Sequence, residues 1–341
     1  MMTATKLQLG ILGAGRIGRV HAETLAFRVP EAEIAAVADI DREAAQALAD
    51  RCAIGRVAAS AEEIFADPAI EAVLLCTSTE THAELIAQAA RAGKHIFCEK
   101  PVALSLEKID ASLAAVKSAG VQLQVGFNRR FDSNFARMRQ AVAGGEIGTP
   151  YLMHIVSRDP APPPISYLGP SGGLFLDMTI HDFDMARFLV GDEVEEVYAA
   201  AGVLVDPAIG EAGDVDTAVV VLHFRGGAIG TIDNCRKATF GYDQRAEILG
   251  SKGKIASENR YPNQVVVSGD KCVYTDLPLN FFMQRYPEAF AAELQAFVAA
   301  VRAGKAVPVS GEDSRKSVVM ALAAGKSFQE HRPVRLKEIS A

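Results

Sequence analysis

Lys100 stands in the run His95-Ile96-Phe97-Cys98-Glu99-Lys100-Pro101, and Asp177 and His181 stand four residues apart in Asp177-Met178-Thr179-Ile180-His181. An ammonium can donate a hydrogen bond to an oxygen that is becoming alkoxide-like. An imidazole can take the departing proton, and a nearby carboxylate fixes its tautomer and raises its basicity. With a hydride acceptor held beside them, the three would be a complete set for oxidising an alcohol. If Asp177 caps or begins a helix, His181 lies one turn later on the same face, with Cβ atoms ~5–6 Å apart. Pro101 makes Lys100 unusual, because an X-Pro bond can adopt cis and re-aim the side chain before it. Taken singly, a strand-end lysine is ordinarily solvated, and an Asp–His pair in a first helical turn is common surface chemistry. The remaining sequence must bring the three together.

The nearest part of that scaffold is a nucleotide loop. Leu7, Leu9 and Ile11 alternate up to Gly13-Ala14-Gly15-Arg16-Ile17-Gly18, and Val20 to Phe27 reads as helix. A second strand, Ile34 to Ala38, ends in Asp39, 21 residues after Gly18. Gly13 makes the turn, Gly15 lets backbone approach a pyrophosphate, and Gly18 lets helix and strand pack closely. Asp39 is placed to accept the ribose hydroxyls and to repel a 2′-phosphate, which favours NAD over NADP. Arg42 lies three residues on and could in principle grip such a phosphate.

Strand and helix then alternate. Glu71 to Cys76 is an apolar strand followed by Thr77 and Ser78. Thr81 with Glu84 resembles a capping box opening a helix that Gly93 closes. Lys94 to Cys98 is the next strand, Ser105 to Gly120 the next helix, and Val121 to Val125 a further strand. This succession predicts a parallel sheet with right-handed crossovers, with ligands outside the carboxyl ends of its strands. Thr77, Ser78, Glu99 and Lys100 fall at that edge. They join Arg16, Ile17 and His82 as candidate cofactor contacts.

Around Gly126 the grammar changes. Strand patterns at Tyr151 to Ser157, Val194 to Val203, Val215 to Phe224, Ala228 to Cys235, Arg245 to Gly250, Gln264 to Val267 and Lys271 to Thr275 are separated by turns such as Gly226-Gly227. They predict an antiparallel sheet. Helices are expected at Met178 to Val190, Glu288 to Arg302 and Asp313 to Gln329. The fold class is therefore an α/β Rossmann domain (1–125) followed by an α+β domain with a large, mostly antiparallel open sheet (126–341). Ala218 to Phe224 is apolar except for His223, so one face is expected under helices and the other under a partner subunit. The stiff Pro160-Ala161-Pro162-Pro163-Pro164 suits a loop held over a site.

Composition narrows the function classes. With 341 residues, 49% hydrophobic and 23% charged, the chain is ordinary and globular. A net charge of −7 without a basic block argues against nucleic acid. No apolar run reaches the length of a membrane span. The start, Met1 to Lys6, lacks the apolar core of a secretory signal, so a cytoplasmic protein is expected. The five cysteines form no Cys-x-x-Cys pair and argue against disulfides or structural zinc. A metal reading of His181, Asp182 and Asp184 lacks a second histidine or cysteine cluster.

These motifs resemble the glucose–fructose oxidoreductase, inositol dehydrogenase and rhizopine-catabolism (Gfo/Idh/MocA) family. The resemblance covers essentially the whole chain: the glycine loop, Cys98-Glu99-Lys100-Pro101, and the helix carrying Asp177, His181 and Asp182. Within the family, Gly126 to Asp132, Ser157-Arg158-Asp159-Pro160, Gly172 to Asp184 and Gly241 to Arg245 resemble the inositol dehydrogenase subgroup, although Phe240 stands where tyrosine is frequent there. The resemblance implies a cis Lys100–Pro101 bond and a homo-oligomer, dimer or tetramer. It also implies NAD-dependent oxidation of a cyclic polyol, myo-inositol to its 2-ketone. In that reaction His181 would be the base, Lys100 would polarise the oxygen and Asp177 would hold both. Asn128, Arg129, Arg158, Asp159 and Tyr242 would line the substrate cleft. Arg129, Arg130, Arg158 and Arg236 raise the competing thought of a sugar acid. Another inositol isomer or an aldose is a related alternative. A dinucleotide sensor without catalysis is a further one, disfavoured by the retained lysine, aspartate and histidine.

Overall fold

The computed structural model describes residues 6–340. The opening residues read above for a secretory signal lie almost wholly outside them. The chain forms two compact units, one comprising residues up to Phe131 together with Pro287–Val318, the other Asp132–Tyr286 and the chain from Val319.

The first unit is built on β1 (Leu7–Leu12), α1 (Arg16–Arg28), β2 (Ala32–Ala38), α2 (Arg42–Cys52), α3 (Ala61–Ala66), β3 (Ala72–Leu75), α4 (Thr79–Arg91), β4 (His95–Cys98), α5 (Leu106–Ala119) and β5 (Leu123–Val125). All strand pairs are parallel, in the order β2-β1-β3-β4-β5. The order reverses between β1 and β3, the crevice where such sheets take ligands. β3 is buried on both faces, as a central parallel strand requires. Local capping fits the sequence. The Asp41 carboxylate accepts from the Glu43 and Ala44 amides at the start of α2, and the Ser105 hydroxyl accepts from Lys108 at the start of α5. α4 begins two residues before the expected Thr81–Glu84 box. Thr81 sits inside its first turn, where its hydroxyl donates to the Ser78 carbonyl at 2.8 Å.

The second unit contains α6 (Ser133–Ala143), β6 (Pro150–Arg158), α7 (Ile165–Ser171), α8 (Gly173–Asp177), α9 (Thr179–Val190), β7 (Val194–Gly202), α10 (Pro207–Glu211), β8 (Thr217–Phe224), β9 (Ile229–Cys235), β10 (Asp243–Gly250), β11 (Gly253–Ser257), the hairpin β12 (Val266–Ser268) and β13 (Val273–Thr275), and α11 (Phe282–Arg285). With a short last strand, β14 (Val334–Arg335), the large sheet has seven strands in the order β11-β10-β6-β9-β8-β7-β14. It is antiparallel except for the β6–β9 pair. β8 alternates despite its largely apolar sequence: Ala218, Val220, Leu222 and Phe224 are buried, whereas Val219 is 48% exposed. One face of this sheet is open in the single chain.

A single boundary at 125/126 does not describe these units. α12 (Pro287–Ala303) carries Leu294, Phe297, Val298 and Val301 on one stripe, and these join the core around β1 and β2. Val309 accepts from the Val125 amide, and Gln124 bridges to Ser310, so the returning segment covers the exposed edge of β5. α13 (Gly311–Glu330) follows, its residues through Val318 belonging to the first unit.

A buried ion pair secures the start of the second unit. The Asp132 carboxylate caps α6 through the Asn134 and Phe135 amides and pairs with the Arg285 guanidinium at 2.5 Å, both side chains being 2% exposed. Asp132→Asn keeps the cap but loses the charge facing Arg285. It should cost about 1.5–3 kcal/mol, the worth of a charge-assisted hydrogen bond. Urea denaturation checks this, and an unchanged midpoint would show that the pair adds nothing.

Candidate active site

The glycine loop has the shape a pyrophosphate requires. A Cβ on Gly13, where φ is +100°, would lie 2.5 Å from the Cys76 carbonyl oxygen, and one on Gly18 would lie 2.0 Å from the Gly13 oxygen. Only glycine tolerates either approach. At Gly15, by contrast, nothing stands within 4 Å of such a Cβ, so the backbone that opens α1 is accessible. Asp39 latches this loop: its Oδ2 accepts from the Ala14 amide at 2.6 Å and its Oδ1 from Asp41 at 2.8 Å. A carboxylate has further lone pairs for ribose hydroxyls. Ile40, fully exposed beside it, offers an apolar face suited to a flat heterocycle. The residues present fit a dinucleotide.

Farther along the same edge, Thr77 and Ser78 lead into α4. The Thr77 hydroxyl lies 2.7 Å from that of Thr81, and Ser78 is exposed at the N-cap. His82 is not on this surface. It is 1% exposed, with Nδ1 2.9 Å from the Pro101 oxygen and Nε2 3.1 Å from the Thr77 oxygen. Burial pushes its pKa below the usual imidazole value. It ties the end of β3 to the segment after β4, a support role that its sequence position could not reveal. Glu99 is turned inward as well: Oε1 meets His21 Nε2 at 2.6 Å, and Oε2 accepts from the Lys100 amide at 3.2 Å. The Lys100–Pro101 bond is cis, and Lys100 is half-buried. Asn128 and Arg129 are buried in a 3-10 turn just after β5. Cys76 and Cys98 lie beneath, and burial holds both thiols well above their usual pKa, so neither is a ready nucleophile.

In the second unit, Asp177 ends α8 and His181 lies in the first turn of α9, with Met178 between them in helical conformation. Asp177 therefore closes one helix rather than capping the next, and the two remain one turn apart. Both are half-buried. The Tyr167 hydroxyl donates to Asp177 Oδ1 at 3.2 Å, so the helix after the proline-rich loop is tethered to this carboxylate. On the other side stands Arg236, 1% exposed, whose guanidinium is 3.6 Å from Asp177 and 3.5 Å from Asp214. Asp214 in turn accepts from the Leu174 amide, so Arg236 joins the two ends of α8. Asp182 points the other way, buried, accepting from Asn234, which also receives the Thr179 hydroxyl. This anchors α9 to the sheet.

Strand parity corrects one expectation. Ser157 and Asn234 share the face on which α9 packs, so Arg158, one residue on, lies on the opposite face. There Arg158 pairs with Asp233 and approaches Asp243, and the Asp233 hydrogen bond raises its pKa further. Arg158 is thus turned away from His181. Asp159 is held by backbone bonds to Cys235 and Ala238. Tyr242 is 6% exposed, its ring edge-on to Phe281 and Tyr286, so packing is its visible service. His21, Ile40 and Tyr167 are the residues that motif reading passes over. The signal for His21 is a lone imidazole three residues past Gly18, on the buried stripe that α1 shares among Gly18, Ala22 and Leu25.

Residues 7–127 match the model described as "Oxidoreductase family, NAD-binding Rossmann fold", and residues 135–256 match the GFO/IDH/MocA C-terminal domain. The chain belongs to the Gfo/Idh/MocA family. Its first unit is the NAD-binding domain of an oxidoreductase. This Gfo/Idh/MocA chain is 46% identical over 333 residues to the Myo-inositol 2-dehydrogenase of Thermotoga maritima, covering 98% of this chain and 99% of that one. It is 47% identical over 330 residues to the Inositol 2-dehydrogenase of Rhizobium meliloti, covering 96% and 98%. It is also similar to the scyllo-inositol dehydrogenase of Lactobacillus casei, solved with NAD(H) and scyllo-inositol. The TM-score there is 0.91 at 28% identity, covering 98% of this chain and 100% of that one.

Proposed function

We propose that the chain oxidises a ring hydroxyl of an inositol, converting myo-inositol to its 2-ketone. NAD, when bound, supplies the hydride acceptor. His181 takes the hydroxyl proton, Lys100 donates to the reacting oxygen, and Asp177 orients the imidazole. Asn128, Arg129 and Asp159 contribute to recognition of the remaining hydroxyls. The observation that favours a neutral polyol over a sugar acid is the engagement of three of the four arginines that raised that alternative. Arg236 faces Asp177 and Asp214, Arg158 faces Asp233 and Asp243, and Arg130 faces Asp313. A guanidinium already matched by carboxylates has little left for a substrate carboxylate. A panel of inositols, aldoses and sugar acids, followed by NADH absorbance, tests the reading. Turnover of a sugar acid well above every inositol would overturn it.

NAD should give a higher kcat/KM than NADP, because the Asp39 carboxylate opposes a 2′-phosphate. Asp39→Ala should narrow that gap, and also weaken NAD itself by releasing the Ala14 amide that latches the loop. Wild-type preference for NADP would contradict this assignment. The open sheet face, with Tyr198, Val219, Ile229, Leu152 and Leu249 each exposed, suits burial against a second copy. Sedimentation should give a dimer or tetramer at micromolar concentration, and a monodisperse monomer would exclude it.

A further inference from the structure

Glu99 is 9% exposed, and its carboxylate is fixed from several directions within the first unit. Oε1 lies 2.6 Å from His21 Nε2, on the second turn of α1. Oε2 receives the Lys100 amide at 3.2 Å. Opposite, a Cβ on Gly126 would sit 3.0 Å from Oε1 and 3.1 Å from Cδ, so glycine there leaves just the room the carboxylate occupies.

His21 is fully buried, its ring edge-on to Phe97 at 5.1 Å and Phe290 at 5.5 Å. A phenyl ring would fill that cage without desolvating a polar group. Its Nδ1 has no hydrogen-bond partner among the described residues. The tautomer with the proton on Nε2 therefore leaves no buried N–H unsatisfied, and that proton points at Glu99. The imidazole is held in an apolar cage for the sake of one hydrogen bond.

We propose that His21 and Glu99 are positioning residues for Lys100. The proposal rests on the reading of Lys100 as the donor to the reacting oxygen. α1 is the helix that opens at the dinucleotide loop, and Glu99 immediately precedes the lysine. The pair ties the seat of the cofactor to the backbone from which Lys100 extends. It fixes the backbone from which the ammonium extends relative to the helix that opens at the glycine loop. Neither residue need touch substrate.

Steady-state kinetics on the intact protein, with NAD affinity by calorimetry, tests this. His21→Phe keeps the packing and removes the donor. It should lower kcat on the order of 10²-fold, the scale of a misplacement of about 1 Å, with NAD affinity close to wild type. His21→Gln returns an N–H and should recover most of the loss, although it packs less well. A packing role would give the reverse order. In a Lys100→Ala background, His21→Phe should cause no further loss of kcat, because the pair acts through the lysine. Independent, additive losses would overturn the proposal. Should His21→Phe fail to fold, Gly126→Ala leaves both partners in place and displaces the carboxylate. A folded Gly126→Ala enzyme with wild-type kcat would also overturn it. Failure of the underlying reading has a separate signature, an unimpaired Lys100→Ala enzyme. The present proposal instead fails when Lys100→Ala is impaired and His21→Phe is not.

Discussion

His181→Ala should lower kcat by ~10²–10⁴-fold, the usual worth of a positioned general base. Oxidation of a carbinol to a ketone with NAD releases a proton, and the base must be neutral before each turnover. The wild-type oxidative rate should therefore rise with pH through the range in which imidazoles titrate and then level off. His181→Ala should lose that titration. Asp177→Asn should lower kcat too, since it breaks the charge pairing with Arg236 and leaves that guanidinium facing Asp214 alone. A His181→Ala enzyme that keeps the wild-type pH–rate profile would falsify the assignment and leave Lys100 as the base.

Lys100→Ala should lower kcat about 10²–10³-fold, the loss expected for one transition-state donor. NAD affinity should stay close to wild type, because the proposed reading gives that binding to the glycine loop and Asp39. The backbone at residue 100 should also hold, since Glu99 accepts from its amide. Lys100→Arg should restore little. A planar fork does not reproduce a compact ammonium that hydrogen-bonds one oxygen. If kcat barely moves in the alanine variant, the lysine serves structure and the mechanism must be rebuilt around His181.

The nucleotide-binding half was legible because its signals are local. Gly13 and Gly18 each answer to a nearby steric demand, Gly15 leaves the backbone open, and Asp39 lies one strand away. The apolar run from Ala218 to Phe224 was legible as a strand, and the structure turns its Val219 outward. The stripe Leu294, Phe297, Val298 and Val301 was equally plain as a helix. Its destination was not, because periodicity says which face is buried and is silent about which core receives it.

Sequence by itself determined the dinucleotide loop, the alternation of strand and helix, and the identities of Lys100, Asp177 and His181 as candidates for alcohol oxidation. Tertiary structure alone decided what surrounds them. His21 and Glu99 are 78 residues apart and meet at 2.6 Å only because α1 packs beside β4. Arg236 finds Asp177 and Asp214 through strand pairing, and the parity of β6 turns Arg158 away from α9 while Ser157 faces it. Hydrogen-bond partners and strand faces depend on register and packing between distant segments. A motif carries the type and order of its residues, but it does not carry those relations.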